Sequence, residues 1–219
     1  MNVDRPVSSR LIIFTKYPEL GKAKTRLIPK LGAQGATDLH RQLAEHTLHQ
    51  AREYCDRPHY NPACQLEIRF SGGDEAQMQT WLGDDRRYTP QGSGDLGDRM
   101  ARAFQTAFDE GDRSVVIVGT DCPAVDANVF ANAFFQLSQV DLVLGVAQDG
   151  GYYLIGLRQL FPELFQNIVW STETVLQDTL RIAQTLGLTI ALLPTLPDID
   201  RPEDLQYLPP SLQPLVPTP

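Results

Sequence analysis

Four basic side chains crowd one short segment near the start of the chain, KYPELGKAKTR, and they are Lys16, Lys22, Lys24 and Arg26. The whole chain is acidic, with a formal net charge of -8, so this local cluster indicates a specific anion. Gly21 lies among the cations and could let backbone amides approach phosphate oxygens, while Lys and Arg neutralise their charge. The segment therefore predicts a site for a phosphate-bearing ligand, with a solvated surface loop as the alternative. It is not a P-loop, because Ala23 stands where that motif needs Ser or Thr.

An acidic residue follows an apolar run later in the chain, where VVIVGT leads into Asp121. A carboxylate at the carboxyl end of a strand can bind a hard divalent cation, and Mg2+ typically takes only one or two protein carboxylates together with phosphates and water. Asp121 is therefore the leading candidate ligand for Mg2+ or Mn2+. The alternative is that Asp121 caps the turn that Pro123 continues.

More acids lie near the carboxyl terminus, in LPDIDRPEDL. Glu203 and Asp204 follow Pro202 and suit the first turn of a short helix, where the helix dipole favours acids. Asp198 and Asp200 then remain in the preceding loop, free to face a cation. Asp200 would equally suit the N-cap of that helix.

Two glycine-containing segments are weaker candidates for ligand contacts. QGSGDLGDRM places Gly94, Leu96 and Gly97 at a helix start, which could let a base or a ribose approach the backbone. A plain turn before a capped helix is the alternative. AQDGGYYLIGL places Asp149 before Gly150 and Gly151, where a sugar or an acceptor could bind, although Asp-Gly also forms tight turns between strands. Trp170 is expected to pack, or else to stack on a sugar or a base.

The elements that would position these residues alternate between strands and helices. Apolar runs predict strands at 11–15, 66–70, 115–118, 142–146 and 188–193, and helical spacing predicts helices at 36–54, 75–82, 96–110, 128–137 and 173–186. Runs such as SVVIVG are apolar nearly throughout, as strands covered on both faces by helices must be. We therefore predict an α/β fold, a three-layer α/β/α sandwich with a mostly parallel central sheet. Its ligand site should lie at the carboxyl ends of the strands.

Size, charge and cysteine content exclude several classes of protein. The 219 residues can bury a large core, and they predict one domain over 1–219 with a proline-rich tail from about 209. The net negative charge argues against a nucleic-acid partner. Three cysteines, Cys55, Cys64 and Cys122, predict neither a disulfide framework nor a zinc cluster and fit a reducing cytoplasm. We expect no transmembrane segment, because no stretch approaches the roughly 20 apolar residues that span a bilayer.

Five motifs occur in an order that resembles the nucleotide-diphosphosugar transferase superfamily, the GT-A glycosyltransferase fold and its nucleotidyltransferase relatives. More closely, the chain is similar to an uncharacterised bacterial family of glycosyltransferase-like proteins. The motifs read ELGKAKTRL, DLGDRM, GTDCPAV, DGGYYLIG and DIDRPEDL and span roughly residues 10–208. The ordered set is far more specific than any one of them.

The resemblance implies a set of site residues. The loop after the first strand and the DLGDR segment would bind the nucleotide and its phosphates, through Lys16, Gly21, Lys22, Lys24, Thr25, Arg26, Gly94, Leu96, Gly97 and Arg99. Asp121 takes the place of the metal-binding acid that ends the central strand, and Asp200 takes that of a second ligand. The DxD pair usual in glycosyltransferases is not present, because Asp121 is followed by Cys122 and Pro123.

The motifs and the resemblance together predict a metal-dependent transferase. Its donor would be a nucleotide-sugar, its cofactor Mg2+ or Mn2+, and its acceptor a small molecule whose identity the sequence leaves open. Lys24 and Asp121 would be catalytic, and Asp149 would orient or deprotonate the acceptor hydroxyl. Asp149, Gly150, Gly151 and Trp170 would form the sugar or acceptor site. The alternatives are a nucleotidyltransferase using a nucleoside triphosphate and a phosphorylated acceptor, and a nucleotide-binding module without turnover.

Overall fold

The computed structural model describes residues 8–56 and 64–212, and its centre is one sheet. Seven strands lie in the order β3-β2-β1-β4-β6-β5-β7. They are β1 Ser9–Lys16, β2 Cys64–Ser71, β3 Arg87–Pro90, β4 Ser114–Val118, β5 Leu142–Ala147, β6 Tyr152–Leu157 and β7 Ile190–Leu196. Strand β6 runs antiparallel to its neighbours β4 and β5, and the other described pairings are parallel. The prediction of a mostly parallel sheet is confirmed.

Five helices accompany the sheet, namely α1 Ile28–Cys55, α2 Glu75–Leu82, α3 Leu96–Asp109, α4 Ala127–Leu137 and α5 Val175–Thr185. Short 3-10 turns cover Thr25–Leu27, Pro162–Phe165, Pro202–Tyr207 and Pro210–Leu212. Helix α1 is broken at Gly32, whose backbone is non-helical with φ 72° and ψ 167°. The helix predicted from residue 36 therefore matches the longer segment that follows this break.

The sheet is covered by a core on each face. Leu11 and Ile13 of β1 pack with side chains of α1, α2 and α4, whereas Ile12 between them packs with α3 and α5. Because successive strand residues point to opposite faces, one apolar run serves both cores. This arrangement confirms the predicted three-layer α/β/α sandwich.

Two strands were not predicted, β3 and β6. Strand β3 is a four-residue edge strand that contains Pro90, a residue that sheets tolerate at an edge because one side of the strand has no partner. Strand β6 follows the Asp149–Gly151 turn and forms an antiparallel hairpin with β5. The backbone at Asp149–Gly151 is therefore a tight turn between two strands, which was one of the two interpretations of this segment.

The order of the strands determines where ligand-binding loops can meet. From β1 the chain proceeds to β2 on one side, whereas β4 adds to the opposite side of β1. The loops after β1 and β4 therefore diverge and leave a crevice between them, which is where open α/β sheets bind ligands.

Within the described residues, no helix combines the length and the apolar character needed to cross a membrane. The predicted proline-rich tail begins in the 3-10 turn Pro210–Leu212, and its remainder, 213–219, lies outside the described residues.

Candidate active site

A cleft of about 620 Å³ opens at the carboxyl ends of the central strands. Its walls come from the segments that follow β1, β4, β5 and β7. Predicted site residues that line it are Lys16, Lys22, Lys24, Thr25, Arg26, Leu96, Asp121, Asp149, Gly151, Trp170 and Asp200. These residues are scattered along the sequence, and the fold brings them to one cavity.

Lys24 lies in the floor of this cleft beside Asp121. Its side chain is only 4% exposed, and its Nζ forms an ion pair with Oδ1 of Asp121. The same Nζ donates a hydrogen bond to the carbonyl of Ile199. The backbone of Lys24 is left-handed, with φ 49°, a conformation that costs a residue other than glycine about 1–2 kcal/mol. Such strain clusters at functional sites.

The segment after β7 is tied to the segment after β4. The amide of Ile199 donates to the carbonyl of Asp121 at 2.9 Å, which places Asp198 and Asp200 beside the end of β4. Asp200 in turn forms an ion pair with Arg26 of the basic loop. Both acids that were predicted to bind metal therefore face cations that were predicted to bind phosphate.

Carboxylates concentrate negative charge on this side of the cleft. Burial, together with the neighbouring carboxylates of Asp149, Asp204 and Asp121, raises the pKa of Asp198 to about 6. For Asp121, desolvation acts in the same direction, but the ammonium of Lys24 outweighs it and lowers the pKa below its usual value. Asp121 therefore stays ionised more readily than Asp198.

The donor set suits a hard divalent cation. Carboxylate oxygens of Asp121, Asp198 and Asp200 line the cleft, and such oxygens are the ligands that Mg2+ and Mn2+ prefer. Over residues 8–56 and 64–212 there is no group of three His, Cys, Asp or Glu side chains that could hold a metal by themselves. The residues therefore fit a cation held by one or two carboxylates, with phosphate and water completing its coordination.

Two backbone amides of the basic loop donate hydrogen bonds to groups within the protein. Amides of this loop were predicted to approach phosphate. Gly21 donates its N–H to Oγ1 of Thr37 at 3.3 Å, and the N–H of Lys22 donates to the carbonyl of Glu19 at 3.0 Å. Gly21 is not among the residues lining the cleft. The loop offers the cleft its cationic side chains, and these two amides shape the loop itself.

His40 lines the cleft and was not predicted to do so. It is buried on α1, and its Nε2–H donates to the carbonyl of Lys16 at 2.8 Å. Burial lowers its pKa, so the neutral ring is favoured. No pattern in the sequence indicated that this face of α1 borders the cleft.

The glycine segment before α3 serves mainly the helix. Asp95 is the N-cap and exchanges capping hydrogen bonds with Asp98, and the carbonyl of Gly94 accepts from Nε of Arg99 at 3.0 Å. Gly94 and Arg99 do not line the cleft, whereas Leu96 does. The backbone of this segment is therefore a turn before a capped helix, and its contact with a base stays a prediction.

Gly97 is required by the packing of Trp170. A Cβ at position 97 would lie 2.6 Å from Cζ2 of Trp170 and 2.7 Å from the carbonyl oxygen of Phe165. Gly97 is buried and does not line the cleft, whereas Trp170 beside it does. The indole Nε1 of Trp170 is buried with no hydrogen-bond acceptor among the described residues.

The Asp149–Gly151 turn presents one carboxylate to the cleft. Oδ1 of Asp149 accepts from the amide of Gly151 at 2.8 Å, which holds the side chain in one orientation. Gly150 has φ 89°, and a Cβ there would collide with the backbone of Glu173. Gly150 does not line the cleft and lets the turn pack, and its predicted contact with a sugar or an acceptor stays a prediction.

Two comparisons identify relatives of the chain. Residues 55–172 match the model of DUF2064, a family described as uncharacterized protein conserved in bacteria. A solved structure from Desulfovibrio desulfuricans, provisionally named a nucleotide-diphospho-sugar transferase, is 34% identical with a TM-score of 0.82, over 91% of this chain and 85% of that chain. No protein of curated function matches at a significant level.

More distant structures share the fold. The 4-diphosphocytidyl-2C-methyl-D-erythritol synthase of Anaerococcus prevotii has a TM-score of 0.59 at 13% identity, over 91% of this chain and 93% of its own. A Mycobacterium tuberculosis protein crystallised with manganese has a TM-score of 0.55 at 13% identity, over 93% of this chain and 98% of its own. The chain has the fold of the nucleotide-diphospho-sugar transferases, and it belongs to the bacterial DUF2064 family.

Proposed function

We propose that the protein is a metal-dependent transferase that binds a nucleotide-sugar donor through its phosphates in the cleft. The pairing of Lys24 with Asp121 and of Arg26 with Asp200 carries the proposal. A phosphate is negative and its divalent cation is positive, so a site for both needs basic side chains and carboxylates together. In this cleft the two kinds of side chain lie side by side. The name of the 34% identical relative supports a nucleotide-sugar as the donor.

Each of the charged residues has a role in this proposal. Lys24 and Arg26 turn from their carboxylate partners to the donor phosphates and offset the charge that grows on them as the leaving group departs. Asp121 and Asp200 are then free to hold Mg2+ or Mn2+ against the same phosphates. The cation, when bound, polarises the phosphate oxygens as a Lewis acid.

Asp149 and Trp170 would receive the sugar and the acceptor. Both line the cleft, and the amide of Gly151 fixes the carboxylate of Asp149. A fixed carboxylate can orient an acceptor hydroxyl and take its proton. The half-buried ring of Trp170 offers an apolar surface for a sugar face.

Nucleotidyl transfer is the second candidate, and the sequence around Asp121 favours it. Glycosyltransferases typically have a second acid two positions after the first. Here Asp121 is followed by Cys122 and Pro123, so that second acid is missing. In this reaction a nucleoside triphosphate would react with a phosphorylated acceptor and release pyrophosphate. Glycosyl transfer would instead release a nucleoside diphosphate.

A thermal-shift screen tests the proposal. Nucleoside diphosphates, triphosphates and nucleotide-sugars are added to the protein with and without Mg2+ or Mn2+. A ligand at about 100 times its Kd should raise Tm by roughly 5–10 °C. We expect a metal-dependent shift selective for a nucleotide-sugar, absent in Asp121→Asn and retained in Asp84→Asn, which removes the charge of an exposed aspartate after α2.

Other outcomes separate the candidates. A shift selective for a triphosphate, followed by release of pyrophosphate, would establish nucleotidyl transfer. A shift without turnover of any acceptor would indicate a binding module. If folded protein shows no shift with any nucleotide, both transferase proposals are wrong.

A further inference from the structure

Two cysteines outside the cleft lie in direct contact. Cys55 is the last residue of α1 and Cys64 is the first residue of β2. Their Sγ atoms are 2.7 Å apart, although the residues are separated by nine positions in the sequence. Both are free thiols in this structure, with Cys55 buried and Cys64 partly exposed.

We propose that Cys55 and Cys64 form a reversible intramolecular disulfide when the protein meets an oxidant. A disulfide needs its sulfur atoms about 2.05 Å apart, so the observed contact has to shorten by less than an ångström. The sequence did not indicate this pair, because the spacing of the three cysteines follows no recognisable framework. The tertiary structure brings the end of a helix to the start of a strand.

The bond would lie at the far end of the sheet from the ligand site. Cys64 begins β2, whereas Ser71 at the other end of the same strand lines the cleft. The disulfide would join α1 to β2 and close the connection between them. We therefore expect it to stabilise the fold and to leave nucleotide binding unchanged.

A small-molecule disulfide such as oxidised glutathione can supply the oxidising equivalents. The thiolate of Cys64 attacks one sulfur of that reagent, a mixed disulfide forms, and half of the reagent leaves as a thiolate. Cys55 then releases its proton to solvent, attacks Sγ of Cys64 and displaces the second half. In sum, two protein thiols lose two electrons and two protons, and one small disulfide becomes two thiols.

The environments of the cysteines determine which of them reacts. The hydrogen bond to Cys64, burial and the nearby Asp56 all raise the pKa of Cys55, whereas Arg86 lowers it in part. The more exposed Cys64 is therefore the entry point, because a dissolved oxidant reaches it more readily than the buried Cys55. Cys122 is buried, and burial raises the pKa of its thiol as well. It serves as an internal control that should stay reduced.

The experiment incubates the full chain with mixtures of reduced and oxidised glutathione, blocks the remaining thiols and measures intact and peptide masses. We expect a product lighter by two hydrogen atoms, with Cys55 linked to Cys64 and one of the three thiols left for blocking. Its Tm should rise by roughly 5 °C. Cys55→Ser and Cys64→Ser should each abolish both changes, and the partly exposed Cys64→Ser keeps the test valid if Cys55→Ser does not fold.

Several results would overturn the proposal. All three thiols could remain available to the blocking reagent after strong oxidation. Cys64 could stop at the mixed disulfide with glutathione, or link to a second chain. A metal ion that stays bound to the purified protein and protects both thiols would assign the pair to metal binding instead.

Discussion

The amide of Ile199 donates a hydrogen bond of 2.9 Å to the carbonyl of Asp121. The carbonyl of the same isoleucine accepts from Lys24, and the side chain of Ile199 is fully buried. One backbone unit therefore links three loops, those that follow β1, β4 and β7. This link holds the cations and the carboxylates of the cleft in contact.

Replacement of Lys24 tests the cationic floor of the cleft. We expect Lys24→Met to abolish the thermal shift caused by the nucleotide ligand and to lower turnover by about 100-fold or more, since a preorganised charge at the reacting group is typically worth that much. The measurements are the ligand titration and the rate with each donor. Lys30→Met removes an exposed lysine of α1 and should change neither. Unchanged affinity in Lys24→Met would contradict the role of this cation.

Gly97→Ala tests the contact beneath Trp170. The added methyl group would lie 2.6 Å from the indole ring, so we expect the free energy of unfolding to fall by about 1–3 kcal/mol, as overpacked sites do. Urea denaturation measures it. Gly119→Ala is the control for stability, because a Cβ there has its nearest neighbour at 3.9 Å. Equal effects of the two substitutions would show that Trp170 and the backbone of Phe165 can both move aside.

Glu110 should make stability depend on pH in the acid range. Hydrogen bonds from Arg87 and Arg10 lower its pKa from 4.5 to about 2 in the folded protein. Its contribution is therefore complete above pH 4.5 and is lost as the pH falls towards 2. The side chain is 38% exposed and solvent screens the pairs, so we expect about 1 kcal/mol at neutral pH.

Urea unfolding of wild type and Glu110→Gln across this pH range measures that contribution. The two stability curves should converge as the solution becomes more acidic. Asp109→Asn, at the adjacent position on α3, should run parallel to wild type. Curves for Glu110→Gln that stay separated to pH 2 would disprove the assignment.

Among the charged residues, Arg10 is the one whose removal we expect to lower the free energy of unfolding most. Its guanidinium lies 2.8 Å from Glu67 and 2.7 Å from Asp112, and the three side chains are at most 2% exposed. Arg10→Met would remove the cation beside the buried carboxylate of Asp112 and leave Glu67 with Arg69 alone, which should lower the free energy of unfolding by about 3–5 kcal/mol. Arg113→Met, at an exposed position before β4, should cost less than 1 kcal/mol by the same urea assay, as surface substitutions do. A small effect of Arg10→Met would mean that water reaches the carboxylates.

Much of the fold could be predicted because it depends on local chemistry. Apolar β-branched runs form strands wherever helices can cover both faces, and parallel neighbours need the helical connections that the spacing indicates. Strands β3 and β6 were missed for the opposite reason. Strand β3 has four residues and a proline, and it exists because β2 offers it an adjacent edge. Strand β6 lies between β4 and β5 and pairs with both, so its place depends on how the sheet is assembled.

Local patterns in the chain were enough to show which residues follow the strands, and therefore that Lys24, Asp121 and Asp200 could meet at the carboxyl ends of a parallel sheet. The pairing of Lys24 with Asp121, of Arg26 with Asp200 and of Cys55 with Cys64 is visible only in the folded protein. The difference lies in the distance along the chain over which each effect acts. Hydrophobic periodicity and turn preferences act between neighbours in the chain, whereas these contacts depend on the order of the strands and on how distant loops close over one another.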